Sequence, residues 1–476
     1  MGLRVRMEPV SELEPLISSF DLAAGYLDWA RFGPLSPAVR AELHADAELL
    51  GTGRAAGTEM VAARVEEARE LVAQLLGLPT DEVVLQPSTT HGLAQAMFGL
   101  EGTVIVPARD FPSVRVTAHR AADARGVLTV REIDPADGIV TAEAVADALD
   151  DSVTAVALSL VDFRTGALAD LAALRDAVGD RLLIIDAIQA FGVVDPDWTL
   201  ADVITGNGYK WLRAGRGTGF ARFSPAARAR IAPVLSGISG MVGDASVLGI
   251  PSARDGAAAY SVAPSDPLAA ARLATSVREI LDAGVADVAA EVRARAADVI
   301  ALADRYDIPV ITPRDAHAGI IALAPRDPSA LAAALANHGV TVTARGTTVR
   351  VSAHVGTGAD TLHLLGDAFA DAATSGRVVA AEYGRDSVEA DLPAIITIDL
   401  PDDDPAQLAD AVFEEVAHAE IEEPEVAHAE FAESEVAHAE LDEAEVEHAV
   451  IDEADEHDRA GDERRDEIVI TVVDES

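Results

Sequence analysis

The sequence predicts an α/β protein: a mostly parallel sheet flanked by helices, a smaller C-terminal α+β domain and an acidic tail. Three observations predict it. Apolar runs of strand length recur between alanine-rich helical stretches, one run ends in a carboxylate, and beyond about residue 375 the chain becomes an acidic repeat. Strands separated by helical stretches are what parallel pairing requires, because each crossover must carry the chain back across the sheet. Strands are expected near 83–85, 103–106, 154–160, 182–185 and 201–205, with 219–223 a return strand. Residues 255–304 read as long helix, and 341–351 as a strand pair around Arg345-Gly346. The expected division is a segment over 1–45 serving the small domain and the site, a large domain over 46–250, a small domain over 251–375 and a tail over 376–476. A ligand would lie at the junction of the two domains.

The chain has 476 residues, of which 49% are hydrophobic, enough for a large core. It contains no cysteine, which excludes disulfides and thiolate-bound zinc. Arg4 and Arg6 near the start are followed by Glu8, Glu12 and Glu14, so no signal peptide is expected. The apolar runs are of strand length, so no membrane span is expected and the protein is placed in the cytoplasm. A net charge of −45 argues against nucleic acid and anionic membranes as partners. It fits either salt adaptation or a lysine-poor genome.

Lys210 is the only lysine among 36 basic residues, in the run Asn207-Gly208-Tyr209-Lys210-Trp211-Leu212. Arginine stays protonated and cannot form a Schiff base, whereas a lysine of lowered pKa can. A single survivor points to a needed amine or to compositional drift. Upstream, Leu182-Leu183-Ile184-Ile185-Asp186 reads as a buried strand whose carboxyl end carries Asp186. That edge is where open α/β sheets place ligands; a helix cap is the other reading of such an aspartate. Gln189 follows one turn later, and Lys210 arrives from the end of the next strand. Val83-Val84-Leu85, then Gln86-Pro87-Ser88-Thr89-Thr90, then His91-Gly92-Leu93 read as strand, turn and helix start. Hydroxyls and free N–H groups there suit an anion, or an ordinary cap.

Together these pieces resemble the class V aminotransferase family of fold-type I pyridoxal-phosphate enzymes, which includes cysteine desulfurases, isopenicillin-N-epimerase-like proteins and kynureninase-like hydrolases. The resemblance runs from about Tyr26 to about Phe369. Its motifs occur in family order: Tyr26-Leu27-Asp28-Trp29-Ala30, Ser88-Thr89-Thr90-His91, Asp110-Phe111-Pro112-Ser113, Val161-Asp162-Phe163-Arg164-Thr165-Gly166, the Asp186/Gln189 pair, Lys210, Gly217-Thr218-Gly219-Phe220 and Arg350-Val351-Ser352.

The resemblance implies pyridoxal 5'-phosphate as cofactor, with Lys210 as its Schiff-base lysine and Asp186 as the partner of the pyridine nitrogen. Gln189 and Asp162 would contact the ring oxygen, Phe111 would stack on the ring, and Thr89, Thr90 and Asn207 would hold the phosphate. Arg350 would clamp the substrate carboxylate with its planar fork. No metal is implied. Departures from the family pattern are Tyr209 for the histidine before the lysine, Ser88 for a glycine, Phe111 for a frequent histidine and Asp162 for a neutral polar residue. Desulfurases of this family take sulfur onto a cysteine thiolate, and this chain has none.

The implied activity is pyridoxal-phosphate chemistry on an amino acid or similar amine through a Cα carbanion, with transamination the leading outcome. Epimerisation and β-elimination share that carbanion, and a non-catalytic, partner-binding protein on the same fold is the alternative of another class. The family also implies a homodimer.

Residues 401–476 hold 29 acidic and 3 basic residues, a net of −26. Glu415-Val416-Ala417-His418-Ala419-Glu420 recurs every ten residues, and its apolar positions fall every five. Five matches neither 3.6 nor 2, so no face collects them, and a solvated tail is expected. His418, His428, His438 and His448 lie among carboxylates, but spacing by ten in a flexible segment costs entropy without a preformed site, so no specific metal binding is expected. Deleting 401–476 should therefore leave cofactor binding, turnover and the dimer intact while changing solubility and salt dependence. Size-exclusion and activity measurements on the truncated protein check this; a monomeric or cofactor-free product would give the tail a structural role.

Overall fold

Five consecutive residues, Leu182–Asp186, are buried without a break, which only a strand covered on both faces permits. This strand lies at the centre of the sheet in the computed structural model, which describes residues 13–374 apart from Asp137 and Ala245. The readings made for residues 1–12 and for the acidic tail lie outside the described residues.

The strands of the main sheet are β1 (Val83–Gln86), β2 (Gly102–Pro107), β3 (Leu128–Ile133), β4 (Val153–Ser159), β5 (Leu182–Asp186), β6 (Val203–Asn207) and β7 (Gly219–Phe223), in the order β1-β7-β6-β5-β4-β2-β3. β7 pairs antiparallel with β1 and β6, and the remaining pairs are parallel. This is the expected mostly parallel sheet with a return strand, and the parallel strands share one carboxyl edge. Alternate residues feed two cores: Ile105, Val156, Leu183, Ile185 and Ile204 on one face, and Val104, Ala155, Ile184, Val203 and Ala221 on the other. The period of two along each strand produces this division.

A second sheet orders β8 (Ile320–Leu323), β10 (Thr348–Ser352) and β9 (Thr343–Arg345), all antiparallel. Its core includes Leu323, Val349 and Val351 with Val299, Leu335 and Phe369 from three helices. The strand pair expected at 341–351 is the β9–β10 hairpin, turning through Gly346 and Thr347. The single helix expected over 255–304 is instead a short turn of helix at Gly256–Tyr260 followed by the helices Pro267–Ala283 and Val285–Arg305. Pro267 starts the second of these, and Gly284, at φ +80°, breaks the run between the two long helices.

Two close approaches position the carboxyl edge. A Cβ on Gly92, in helix Thr89–Gly99, would lie 2.8 Å from Thr205 Cγ2, so only glycine lets this helix pack on β6. A Cβ on Gly33 would lie 1.9 Å from the Lys210 carbonyl oxygen. The N-terminal segment thus rests directly on the lysine loop, where Gly33 N–H donates to the Tyr209 carbonyl at 2.9 Å. Among the described residues no helix is long and apolar enough to cross a membrane.

At the opposite edge β7 carries a buried charge pair: Arg222 Nε donates to Glu82 at 2.7 Å, and Arg222 also donates to the Ala201 carbonyl. Glu82→Ala should lower stability by about 3–5 kcal/mol, because it strands a buried guanidinium. Denaturant unfolding read at the midpoint measures this, and a shift under about 1 kcal/mol would show that water reaches and solvates the arginine.

Candidate active site

β5 ends at Asp186, which pairs in register with Thr205 of β6. β6 ends at Asn207, and the chain turns at once through Lys210. Asp186 and Lys210 therefore meet at the carboxyl edge, both buried. Asp186 accepts a hydrogen bond from Ile188 N–H at 2.9 Å. Burial holds its pKa well above the carboxylate range, and neighbouring Asp110 raises it further. Burial pulls the Lys210 pKa down; Asp186 opposes this, while Arg350, Arg345 and Arg216 reinforce it. Loss of solvation is the dominant cause for both groups, and each favours the other's charge.

An aromatic wall faces the amine. Lys210 Nζ lies 5.9 Å from the centre of the Phe111 ring and 5.5 Å from that of Tyr209. Phe111 meets Phe163 edge to face at 5.2 Å. Asp110 fixes this loop: its carboxylate accepts from Phe111 N–H at 2.6 Å and from Ser159 N–H at 2.7 Å.

The first turn of helix Thr89–Gly99 opens at the same edge, and Ser88 caps it by accepting from His91 N–H. Thr89 Oγ1 is buried with no hydrogen-bond partner. An orphaned hydroxyl at a helix N-terminus is the polar group an anion would satisfy. Thr90 Oγ1 instead bonds Ser113 Oγ at 2.7 Å. Asn207 Oδ1 accepts from Tyr209 N–H at 3.1 Å and from Thr218 Oγ1 at 3.0 Å, leaving its amide N–H groups as donors.

Arg350 enters from β10. Its Nη1 donates to the Phe163 carbonyl at 3.1 Å, Nη2 lies 3.5 Å from Asp28 Oδ1, and Nε has no partner. Burial, then Arg345, brings its pKa down to about 10. Asp28 is in turn held by Thr343 Oγ1 at 2.7 Å.

Two residues expected at the ring oxygen have their polar ends engaged within the protein. Gln189 Nε2 donates to the Ala30 carbonyl at 3.0 Å, and Gln189 Oε1 accepts from Trp211 Nε1 at 2.9 Å. Asp162 accepts from Arg164 N–H at 2.7 Å, Thr165 N–H at 3.0 Å and Arg164 Nη2 at 2.8 Å. Either would have to exchange a bond to reach a ligand.

Sequence reasoning assigned no role to His354, Trp211, Phe163 or Asp110. His354 Nε2 donates to the Trp211 carbonyl at 2.8 Å, and its Nδ1 accepts from Val355 N–H at 2.7 Å. It thus ties the residue after Lys210 to the strand end that carries Arg350. Its place two residues beyond Ser352 was the available signal.

A buried lysine of lowered pKa beside a buried strand-end aspartate, an orphaned hydroxyl at a helix N-terminus and an incompletely bonded arginine suit pyridoxal phosphate, whose aldehyde, pyridine nitrogen and phosphate need an amine, an anion and donors. The architecture is that of the fold-type I pyridoxal-phosphate enzymes. The sequence profile of the family Aminotransferase class-V matches residues 49–362, and the chain belongs to that family. Cysteine desulfurase IscS of Acinetobacter baumannii is 29% identical over 188 residues, which cover 36% of this chain and 46% of that relative. The chain therefore spans about half the length of this curated relative. Among solved structures, the apo cysteine desulfurase of Thermococcus onnurineus NA1 superposes with a TM-score of 0.66 at 20% identity, covering 74% of this chain and 95% of that one. The cystine C–S lyase C-DES, in complex with cysteine persulfide, gives 0.66 at 18% identity, covering 74% and 97%. The family makes the chain a pyridoxal-phosphate-dependent enzyme.

Burial brings the His354 pKa from 6.5 to about 3, so the folded state keeps it neutral while the unfolded chain takes up a proton below pH 6.5. A depressed histidine pKa contributes stability above 6.5 that is lost as pH falls toward 3. From pH 6.5 to 5 this one group should remove roughly 2 kcal/mol. His354→Gln should flatten that part of the stability curve; an unchanged slope in denaturant titrations across this range would refute the buried neutral imidazole.

Proposed function

We propose that the chain is an aminotransferase acting on an α-amino acid, working as a homodimer. One observation carries the reading: the chain's single lysine and a strand-end aspartate are buried together beside an aromatic wall, with no hydrogen bond from Nζ to another described residue. Pyridoxal phosphate, when bound, supplies the electron sink that stabilises negative charge at the substrate's Cα.

The protein's contribution is placement and proton handling. Asp186 would hold the pyridine nitrogen protonated, since its carboxylate has no cationic hydrogen-bond partner among the described side chains. Thr89, Asn207 and the helix N-terminus would hold the phosphate and Phe111 would cover the ring face; Thr90 would join them, and Gln189 and Asp162 would reach the ring oxygen, only by exchanging their present bonds. Arg350 would orient the substrate carboxylate, its unpartnered Nε and its Nη2, 3.5 Å from Asp28 Oδ1, being the atoms available once Asp28 yields. Lys210 would hold the aldehyde and, once freed, would serve as the base for the Cα proton at neutral pH, because burial has weakened its hold on its own proton.

Epimerisation needs a second proton carrier on the opposite face, and the wall of Phe111 and Phe163 carries no proton. This favours amino transfer. β-Elimination is the second reading: a cystine C–S lyase shares the fold, and that chemistry needs no enzyme thiolate. The persulfide route of the desulfurases has no cysteine here to use.

Borohydride reduction followed by peptide mapping should label Lys210 and nothing else, and Lys210→Ala should abolish the adduct. Asp186→Asn should keep the cofactor bound and cut turnover on the order of 100-fold or more. A panel of amino acids resolved into keto-acid, racemised and β-eliminated products identifies the reaction. An unmodified Lys210, or near-wild-type turnover of Asp186→Asn, would overturn the assignment; pyruvate and ammonia as sole products would select elimination.

A further inference from the structure

We propose that Arg345 receives a second carboxylate, on the side chain of the substrate, so that the preferred amino acid is dicarboxylic. The inference rests on Arg350 being the clamp for the α-carboxylate. Arg345 ends β9 at the hairpin tip, pairing with Thr348, while Arg350 pairs with Thr343 two positions further along β10. Both side chains converge on Phe163. Arg350 Nη1 donates to the Phe163 carbonyl at 3.1 Å, and the Arg345 guanidinium lies 5.3 Å from the centre of the Phe163 ring. That ring meets Phe111 at 5.2 Å, and Phe111 lies 5.9 Å from Lys210 Nζ. Two aromatic rings therefore separate the amine from a cation at the rim.

Arg345 is exposed, and no carboxylate pairs with its guanidinium among the described residues. Its carbonyl accepts from Thr348 Oγ1 at 3.1 Å. A chain of net charge −45 has carboxylates to spare, and neighbouring Arg164 and Arg350 each face an aspartate at 2.8 and 3.5 Å. A guanidinium stacked on a ring is held in orientation by its face, leaving its N–H edges to donate in a planar fork that suits a carboxylate. The Arg345 charge also lowers the proton affinity of both Lys210 and Arg350, so it lies within electrostatic reach of both. Arg216, the other exposed cation, stacks on Tyr209 at 4.7 Å, on the lysine loop itself rather than beyond the two phenyl rings.

A merely electrostatic role for Arg345, tuning Lys210, would treat acidic and neutral substrates alike. The test is calorimetric titration of the full-length, pyridoxal-phosphate-loaded protein with glutarate and succinate against their monoamides, which match in size and differ by one charge. These acids carry no amine, so their binding requires no chemistry at Lys210. Wild type should bind the diacids about tenfold tighter than the monoamides, as expected for one charged hydrogen-bonded contact at a partly solvated site. Arg345→Gln should lose that preference with monoamide affinity unchanged, Arg345→Lys should keep part of it, and Arg350→Gln should weaken all four ligands. The proposal is overturned if wild type shows no preference, if Arg345→Gln retains it, or if Arg216→Gln abolishes it instead. Diacid preference with no keto-acid product in the amino-acid panel would remove the aminotransferase reading and leave this one standing.

Discussion

Burial of Lys210 and Asp186 at one edge of the sheet is the constraint on which the rest of the molecule depends. Each charge loses its hydration there, and their attraction in a low-dielectric site offsets only part of that loss. Such a pair is a poor device for stability, and an apolar pair of similar volume would serve a sheet better. What it provides is two groups whose proton affinities are displaced toward one another: an acid that resists ionising and an amine that resists protonation. A ligand that presents a pyridine nitrogen to one and an aldehyde to the other satisfies both. The same logic accounts for the incomplete bonding nearby, at Thr89 Oγ1, Thr205 Oγ1 and Arg350 Nε. Buried polar atoms left without partners are rare, and their concentration here marks where a ligand completes the network.

Holding that pair requires elements distant in sequence. The segment from Tyr26 to Gly33 is the tie between them. Leu27 and Ala30 bond Ser352 on β10, with Ala30 N–H donating to Ser352 Oγ at 2.9 Å. The Ala30 carbonyl accepts from Gln189, and Gly33 lies against the carbonyl of Lys210. His354 closes the circuit by accepting from Val355 while donating to Trp211. The lysine loop is therefore fixed from three directions, which is the rigidity that positioning a reacting nitrogen demands.

How much of this the sequence disclosed follows from where each signal resides. β4, β5 and β6 were legible because a fully covered parallel strand must be apolar throughout, and Lys210 and Asp186 because their chemistry is rare at such positions. β3 was missed: Leu128–Ile133 forms the sheet edge with mostly half-exposed residues, and Arg131 and Glu132 obscure its alternation. β8 is only four residues long. The division of the expected long helix was written in Gly284 and Pro267 but outweighed by the alanine pattern on either side. Gln189 shows the limit most clearly. Its spacing from Asp186 was readable, whereas its bonds to Ala30 and Trp211 depend on loops 159 and 22 residues away in the chain.

The charge distribution adds a further argument about why the chain has one lysine. Every other fixed cation near enough to act on the amine is arginine: Arg350, Arg345 and Arg216 each lower its proton affinity. An aldehyde cofactor condenses with any accessible neutral amine, so a second lysine at the rim would compete for it and hold it out of register with Asp186. Guanidinium cannot do this at any physiological pH, yet its positive potential adds to the burial that lowers the proton affinity of Lys210. Within residues 1–400, whose net charge is −19, this leaves a local cationic mouth on an acidic surface. On the proposed reading, such a field would favour anionic amino acids over amines lacking a carboxylate. Selectivity at the rim and reactivity at the base of the site thus follow from one choice of side chain, with arginine carrying the charge and lysine confined to the chemistry.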